Sequence, residues 1–399
     1  MIEEIYMMTQ FETELEERIK SGDIELDSAM GCMLGGAVGD ALGATVEFID
    51  RAEINNRFGV SGIVNYELTD GKARFSDDTQ MSMFTAAGLL TAIGSVGATL
   101  RDQDADSAIS NFLRIYRKFV RSAYFDWLVT QGVIDDDKVP YYTWLRKVTG
   151  LYSQRAPGGT CITEIKKGAN GSVREPCNDS KGCGGVMRVA PAGIVLAKFL
   201  PPNRIAEVGA EIAALTHGHP LGYISAAALA HLIAALYLGA EIEEAVSDSV
   251  KLTLETFSDA PHIVEFDSVM NFAVDLAGEN ISDPEAIEQI GSGWVAEEAL
   301  AIAVYCALRH KKDFAAGVRA AVNHSGDSDS TGAIAGNILG TYLGYSKIPP
   351  EFLSELELRD VLSMLAADLN DITFHKAKEA RALCGENPQR WIKYIRRRQ

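Results

Sequence analysis

The chain has 399 residues, 47% of them hydrophobic and 23% charged, an ordinary globular composition long enough for one large core or two domains. Its formal net charge of −18 disfavours nucleic acid and anionic membrane surfaces as partners, because such surfaces are gripped by lysine and arginine. The six cysteines (Cys32, Cys161, Cys177, Cys183, Cys306 and Cys384) include no C-x-x-C pair, so they read as reduced cytoplasmic thiols and not as a disulfide framework or a zinc site.

Residues 1–28 come first. They hold nine acidic and two basic side chains, a net of −7, with Ile5, Met8, Leu15 and Ile19 at roughly helical spacing. This predicts an amphipathic N-terminal extension ahead of a body spanning 29–399, either a helix packed on that body or an arm for a partner. A basic n-region and a continuous apolar h-region are both missing, so the segment does not read as a signal peptide. From residue 29 onward, Ala/Leu/Gly/Ile segments recur at helical spacing over 29–47, 79–95, 107–128, 204–216, 222–239, 241–257, 263–276, 294–309, 312–323, 331–344 and 351–379. β-Branched alternation is scarce, with 61–68 as one candidate strand. The expected fold is all-α: a single compact orthogonal multi-helix domain without the fixed period of a solenoid. The longest apolar stretch, 224–239, contains His231 and is about one core helix long. Segment 130–183, rich in Gly, Pro, Asp and Asn, reads as surface loops that could line a site.

Two helical segments carry glycine stripes: Gly35, Gly39 and Gly43 in one, and Gly332, Gly336, Gly340 and Gly344 in the other. A glycine inside a helix costs about 1 kcal/mol relative to alanine, so seven of them predict close backbone approach between buried helices. Each stripe adjoins acids, Asp40 and Glu47 beside the first and Asp327 and Asp329 beside the second, which predicts a tightly packed centre beneath a site. Ser76-Asp77-Asp78-Thr79 opens one apolar helix, and Asp327-Ser328-Asp329-Ser330-Thr331 opens another. One aspartate would be an ordinary cap. Four carboxylates at two helix starts that meet in space would repel unless cations lay between them. Hard divalent ions suit such oxygen donors, which predicts a two-metal site for Mg²⁺ or Mn²⁺.

Rival readings of these motifs fail. An EF-hand loop starting at Asp327 would need a glutamate at its twelfth position, where Ile338 stands. A D-x-D phosphatase nucleophile would follow a strand, and the preceding residues have helical pattern. The glycine run from Gly31 to Gly39 is not G-x-G-x-x-G and follows no strand, which argues against a dinucleotide fold. The loop from Lys181 to Arg188 holds Gly182, Cys183, Gly184 and Gly185 ahead of an apolar helix. Its backbone N–H groups could cradle phosphate, or it could be a tight turn with Arg188 in an ion pair. His217 and His219 sit between two helices, and His217 is assigned to ligand contact, not to metal. No nucleophile elbow or Cys–His pair is evident.

Together, the segments 35–48, 75–81, 178–191, 214–223 and 324–340 resemble, in order, the motifs of the ADP-ribosylglycohydrolase family. The resemblance implies an all-α domain with a binuclear Mg²⁺ or Mn²⁺ centre. It implies Ser76, Asp77 and Asp78 as ligands from one helix start and Asp327, Asp329 and Ser330 from the other. Adjacent Thr331 offers a second hydroxyl in the same turn. Glu47 would lie at the rim of the centre; Glu47, Asp78 and Asp329 would carry catalysis. Gly182, Cys183, Gly184, Gly185 and His217 would hold ADP-ribose. The implied activity is cytoplasmic, metal-dependent removal of ADP-ribose from a modified protein, from arginine most closely. A second expectation, from another class, is an immunity protein whose acidic extension blocks an ADP-ribosyltransferase toxin. The extension and the 130–177 loops lie outside the matching motifs.

Overall fold

The computed structural model describes residues 2–99, 105–382 and 388–395, and side chains from residue 10 onward. Among these the chain forms α-helices and no strand; backbone pairing outside the helices is limited to isolated bridges, such as Ala73 with Leu356 and Gly182 with Val295. The first helices are α1 (Ile2–Lys20), α2 (Ile24–Gly43), α3 (Arg51–Phe58), α4 (Asp77–Thr99) and α5 (Ala105–Thr130). After an irregular segment come α6 (Gly159–Lys166), α7 (Ala190–Leu196), α8 (Pro202–Ala214), α9 (Pro220–Tyr237), α10 (Ile242–Thr256), α11 (Ile263–Gly278) and α12 (Asp283–Ile290). The rest are α13 (Ala296–Arg309), α14 (Phe314–Val322), α15 (Ser328–Leu343), α16 (Pro350–Glu355), α17 (Arg359–Asp371), α18 (Phe374–Ala382) and α19 (Pro388–Ile392). Helices α4 and α9 are apolar and long enough to cross a bilayer by length and composition, but 89% of each apolar window is buried by neighbouring helices.

At the centre, α2 and α15 run antiparallel with their backbones in contact. A Cβ on Gly35 would lie 2.5 Å from the Gly336 carbonyl oxygen. On Gly31 it would overlap the Gly340 carbonyl, on Gly39 that of Gly332, and on Gly43 that of Ser328. The two stripes therefore interlock, which accounts for glycines that an isolated helix would disfavour. Gly31 belongs to the contact. Gly344, expected in the stripe, does not: it caps α15 at φ +88, a left-handed conformation that favours glycine, and the Asp27 side chain fills the space a Cβ would need.

Three segments differ from the sequence expectation. Residues 61–68 form an irregular turn. Ile63 gives its N–H to Asn323 Oδ1 (2.8 Å) and takes a hydrogen bond from Asn323 Nδ2 (3.0 Å), so a side chain stands in for a strand neighbour. The stretch 351–379 breaks into α16, α17 and α18, with Leu358 at φ +49 before α17 and Ile372 extended after it. The first break lets Ala73 hydrogen-bond Glu355 and Glu357 on either side of Leu356, which holds the approach to α4. Segment 130–158 is irregular but not loose. The fully buried Arg146 guanidinium joins Asp126 to Asp136 and the carbonyls of Val139 and Pro140.

Helix α1 is fastened to the body. Leu15 is buried and Ile19 packs partly against the core; the side chains of Ile5 and Met8 lie outside the described residues. Arg18 bridges Asp23 and Asp371, and Arg359 faces Glu12 and Glu16. Glu14 and Glu17 point to solvent.

Gly35→Ala is expected to destabilise the protein by about 3 kcal/mol or more, since the added methyl meets backbone that cannot rotate away. Gly278→Ala, at the open end of α11, is the control and should change stability by less than about 0.5 kcal/mol. Equal denaturation midpoints for the two variants would be incompatible with the α2–α15 contact.

Candidate active site

Because α2 and α15 are antiparallel, the end of α2 meets the start of α15, and the start of α4 closes on the same point. Six carboxylates converge there: Asp40 and Glu47 from α2 and the turn after it, Asp77 and Asp78 from α4, and Asp327 and Asp329 from α15. All are buried, Glu47 the least so at 8% exposure. Oxygens of Glu47, Asp327 and Asp329 lie within 4.8 Å of one another. Asp78 Oδ2 and Asp327 Oδ2 are buried with no hydrogen-bond partner among the described residues.

The carboxylates are not equivalent. Asp40 accepts hydrogen bonds from the Ser76 and Thr79 backbone N–H groups (2.7 and 2.9 Å) and from the Thr79 hydroxyl (2.6 Å). It is thus a cap for α4 supplied by a different helix. Burial, then the nearby Asp329 charge, raise its pKa to about 7 against those hydrogen bonds. Glu47 is pushed to about 10 by burial and by the charges of Asp329, Asp327, Asp77 and Asp40. Burial is also the first cause of the strongly raised pKa values of Asp77, Asp78 and Asp327. Asp77 Oδ2 accepts the Gly158 N–H (3.1 Å), and Ser330 N–H donates to Asp329 Oδ1 (3.0 Å). Two orphaned oxygens within an all-oxygen donor set fit a hard divalent cation.

A cleft of about 320 Å³ opens from this cluster. Its wall includes Glu47, Asp77, Asp78, Asp327, Asp329 and Ser330 at one end, with Gly182, Cys183, Gly184 and His217 beside them. Among the described residues no lysine or arginine lines it. Two expected residues stand one layer behind. The Ser76 hydroxyl accepts the Asp78 N–H (3.2 Å), and Gly185 packs against Ala213, where a Cβ would be 3.1 Å from the Ala213 methyl. The two candidate hydroxyls of α15 separate cleanly. Ser330 lines the cleft, whereas Thr331 Oγ1 is engaged with the Ala321 and Asp327 carbonyls and His324 Nε2.

His217 is held as a neutral ring. Arg188, fully buried, forms no ion pair among the described residues. Its guanidinium donates to Thr216 Oγ1 (2.7 Å) and the Ile212 carbonyl (3.1 Å) and lies over the Tyr124 ring. Thr216 Oγ1 is 2.9 Å from His217 Nδ1. Thr216 thus links the guanidinium to Nδ1, and Nε2 is turned toward Gly182 and Gly184 of the glycine loop. Burial and then the Arg188 charge lower the His217 pKa to about 3, so the ring stays neutral.

Several wall residues lie outside the motifs, and the first of them bear out the loop-rich stretch 130–183 as part of the site's lining. Ala156, Pro157, Gly158, Gly159 and Thr160 enter from the irregular segment, and the backbone start of α6 carries no side-chain cap. Phe48 and Trp294 stand at the mouth. Only the Gly-Ser-Gly before Trp294 hints in sequence at a built loop, and Gly293 indeed has φ +81.

Comparisons with known proteins agree with this architecture. A model of the ADP-ribosylglycohydrolase family matches residues 21–379. ADP-ribosyl-[dinitrogen reductase] glycohydrolase of Rhodospirillum rubrum is 24% identical, covering 84% of this chain and 91% of the relative. ADP-ribosylarginine hydrolase Tri1 of Serratia proteamaculans is 26% identical over 86% and 79%, and ADP-ribosylhydrolase ARH3 of Mus musculus 24% over 86% and 90%. A solved structure described as an ADP-ribosylglycohydrolase-related protein complex superposes with a TM-score of 0.56 at 25% identity, covering 87% of this chain and 98% of its own. The chain therefore belongs to the ADP-ribosylglycohydrolase family, hydrolases that release ADP-ribose from modified substrates.

Proposed function

We propose that this protein removes ADP-ribose from modified arginine side chains and uses two divalent cations, Mg²⁺ or Mn²⁺, to do so. One observation carries the reading: buried carboxylates from three helix ends converge with, among the described residues, two of their oxygens unpartnered and no lysine or arginine in the wall. Asp77, Asp78, Asp327, Asp329 and Ser330 would hold the cations, with Ser76 fixing the turn behind them. Bound there, such ions supply Lewis-acid polarisation of a water and of ribose hydroxyls. The residues do the rest. Glu47, at the cleft edge, is placed to hold or hand over a proton as the bond from ribose to guanidine nitrogen breaks. His217 and the backbone of Gly182 and Gly184 bind the ADP-ribose oxygens and orient the sugar.

Asp78→Asn and Asp329→Asn should each lower ADP-ribose release from an arginine-modified protein by about 100-fold or more, and exhaustive chelation should stop release until Mg²⁺ or Mn²⁺ is returned. Activity that survives chelation would remove the metal from the proposal. Release from serine-modified but not arginine-modified protein would remove the linkage.

His217→Ala and Gly184→Val are expected to weaken free ADP-ribose binding about tenfold, the loss of one good hydrogen bond or of close backbone approach. Gly184 has little room, since a Cβ there would lie 3.0 Å from the His217 ring. Titration calorimetry that finds wild-type affinity in both variants would rule out this placement of the ligand.

Stability should also depend on pH in a set direction. The raised carboxylates hold protons in the fold that the unfolded chain gives up near pH 4. From there to about pH 10, the value for Glu47, these carboxylates bind more protons in the metal-free fold than in the unfolded chain, so the stability they contribute falls as pH rises. Cations compete with those protons. The increase in melting temperature on adding Mg²⁺ should therefore be larger at pH 8.5 than at pH 5.5, and a shift that shrinks with pH would contradict the cluster as a cation site.

A further inference from the structure

Phe48 and Trp294 line the mouth of the cleft yet remain 72% and 42% exposed. Their ring centroids are 6.0 Å apart, with planes only 23° from parallel. The pair stands at the acidic end. Phe48 directly follows Glu47, and a Cβ on Gly293, next to Trp294, would lie 3.5 Å from that of Asp327. The tryptophan is not loosely held. Glu298 Oε2 accepts the N–H groups of Ser292 and Gly293 (2.9 and 3.1 Å), and the Trp294 carbonyl accepts the Cys183 N–H (3.2 Å). A rigid loop thus carries a large ring into solvent beside the reacting end of the cleft.

The chemistry of the pair selects its occupant. Ring faces are electron-rich and attract a cation lying flat on them. Among the described residues no lysine or arginine stands in the wall to occupy the rings in its place. Arginine guanidinium is planar, cationic and stacks well. We propose that Phe48 and Trp294 form a platform for the guanidinium of the arginine leaving group and so set selectivity for that linkage. The proposal rests on the arginine-directed reading above. A planar base such as adenine is the competing occupant, and free ADP-ribose, which has the base but no guanidinium, tells the two apart.

The test compares wild type with Phe48→Ala, Phe48→Leu, Trp294→Ala and Trp294→Phe in Mg²⁺, by release from an ADP-ribosyl-arginine peptide and by binding of free ADP-ribose. Both alanine variants and Phe48→Leu, which keeps apolar bulk without a π face, should lose about tenfold in kcat/KM. Trp294→Phe should stay within about threefold of wild type, and ADP-ribose affinity should hold within about twofold throughout. Unchanged turnover in the alanine variants overturns the platform, as does an equal loss of ADP-ribose affinity, which would assign the rings to adenine. A Phe48→Leu variant as active as wild type removes the cation–π basis. If the wild type itself releases nothing from the peptide, the arginine-directed reading falls and takes the platform with it.

Discussion

The rest of the molecule depends on one contact, the backbone-to-backbone packing of α2 on α15. Glycines four residues apart lie on one face of a helix, so two such faces can meet with no side chain between them. The pairing of Gly31 with Gly340, Gly35 with Gly336 and Gly39 with Gly332 fixes both direction and register. Antiparallel register then decides chemistry: it brings Asp40 and Glu47 from the end of one helix to Asp327 and Asp329 at the start of the other. A shift by one turn would carry the acids about 5 Å apart. The helix dipoles treat the two sides unequally. The start of α15 favours anions, while the end of α2 does not. Asp40 answers this by taking its hydrogen bonds from the start of α4, which ties the third helix to the same point.

Such a site is held against its own electrostatics. Burying six carboxylates together favours protonation over charge, and the raised pKa values of Asp40, Glu47, Asp77, Asp78 and Asp327 express it. An arginine in the wall would relieve this and would also fill the place. The fold instead keeps the fully buried Arg188 facing carbonyls, Thr216 and the Tyr124 ring. From there its charge acts on His217, whose neutrality it helps to set.

What the sequence made legible is local. Glycine spacing and aspartates at helix starts are patterns within one turn or two, and they located the central pair and most of the acidic residues in the cleft. The all-α class followed from helical periodicity for the same reason. What stayed hidden depends on distant partners. Asp40 is legible as an acid beside the first glycine stripe, but its role as a cap appears only once Ser76 and Thr79 are seen to donate to it. Ser330 and Thr331 are equal in sequence, and only back-bonding of Thr331 to the Asp327 carbonyl turns it away from the cleft. The break at Leu358 is invisible in a helical pattern because its cause is Ala73, far away in the chain. The wall from Ala156 to Thr160 carries no motif, since it contributes mainly backbone.

On the proposed reading, this last point resolves an apparent conflict. A chain of net charge −18, with five carboxylates in its cleft, has to bind a diphosphate. Lysine or arginine would be the usual grip, but here either would pair with the carboxylates and neutralise the cation site and the anion site together. Neutral donors avoid that. The start of α6, the backbone of Gly182 and Gly184 and the ring of an uncharged His217 line the cleft and would offer donors that carry no full charge. On that reading, a wall with no lysine or arginine among the described residues would let one small cleft hold cations at its acidic end and phosphate oxygens beside them, with the polypeptide itself separating the two.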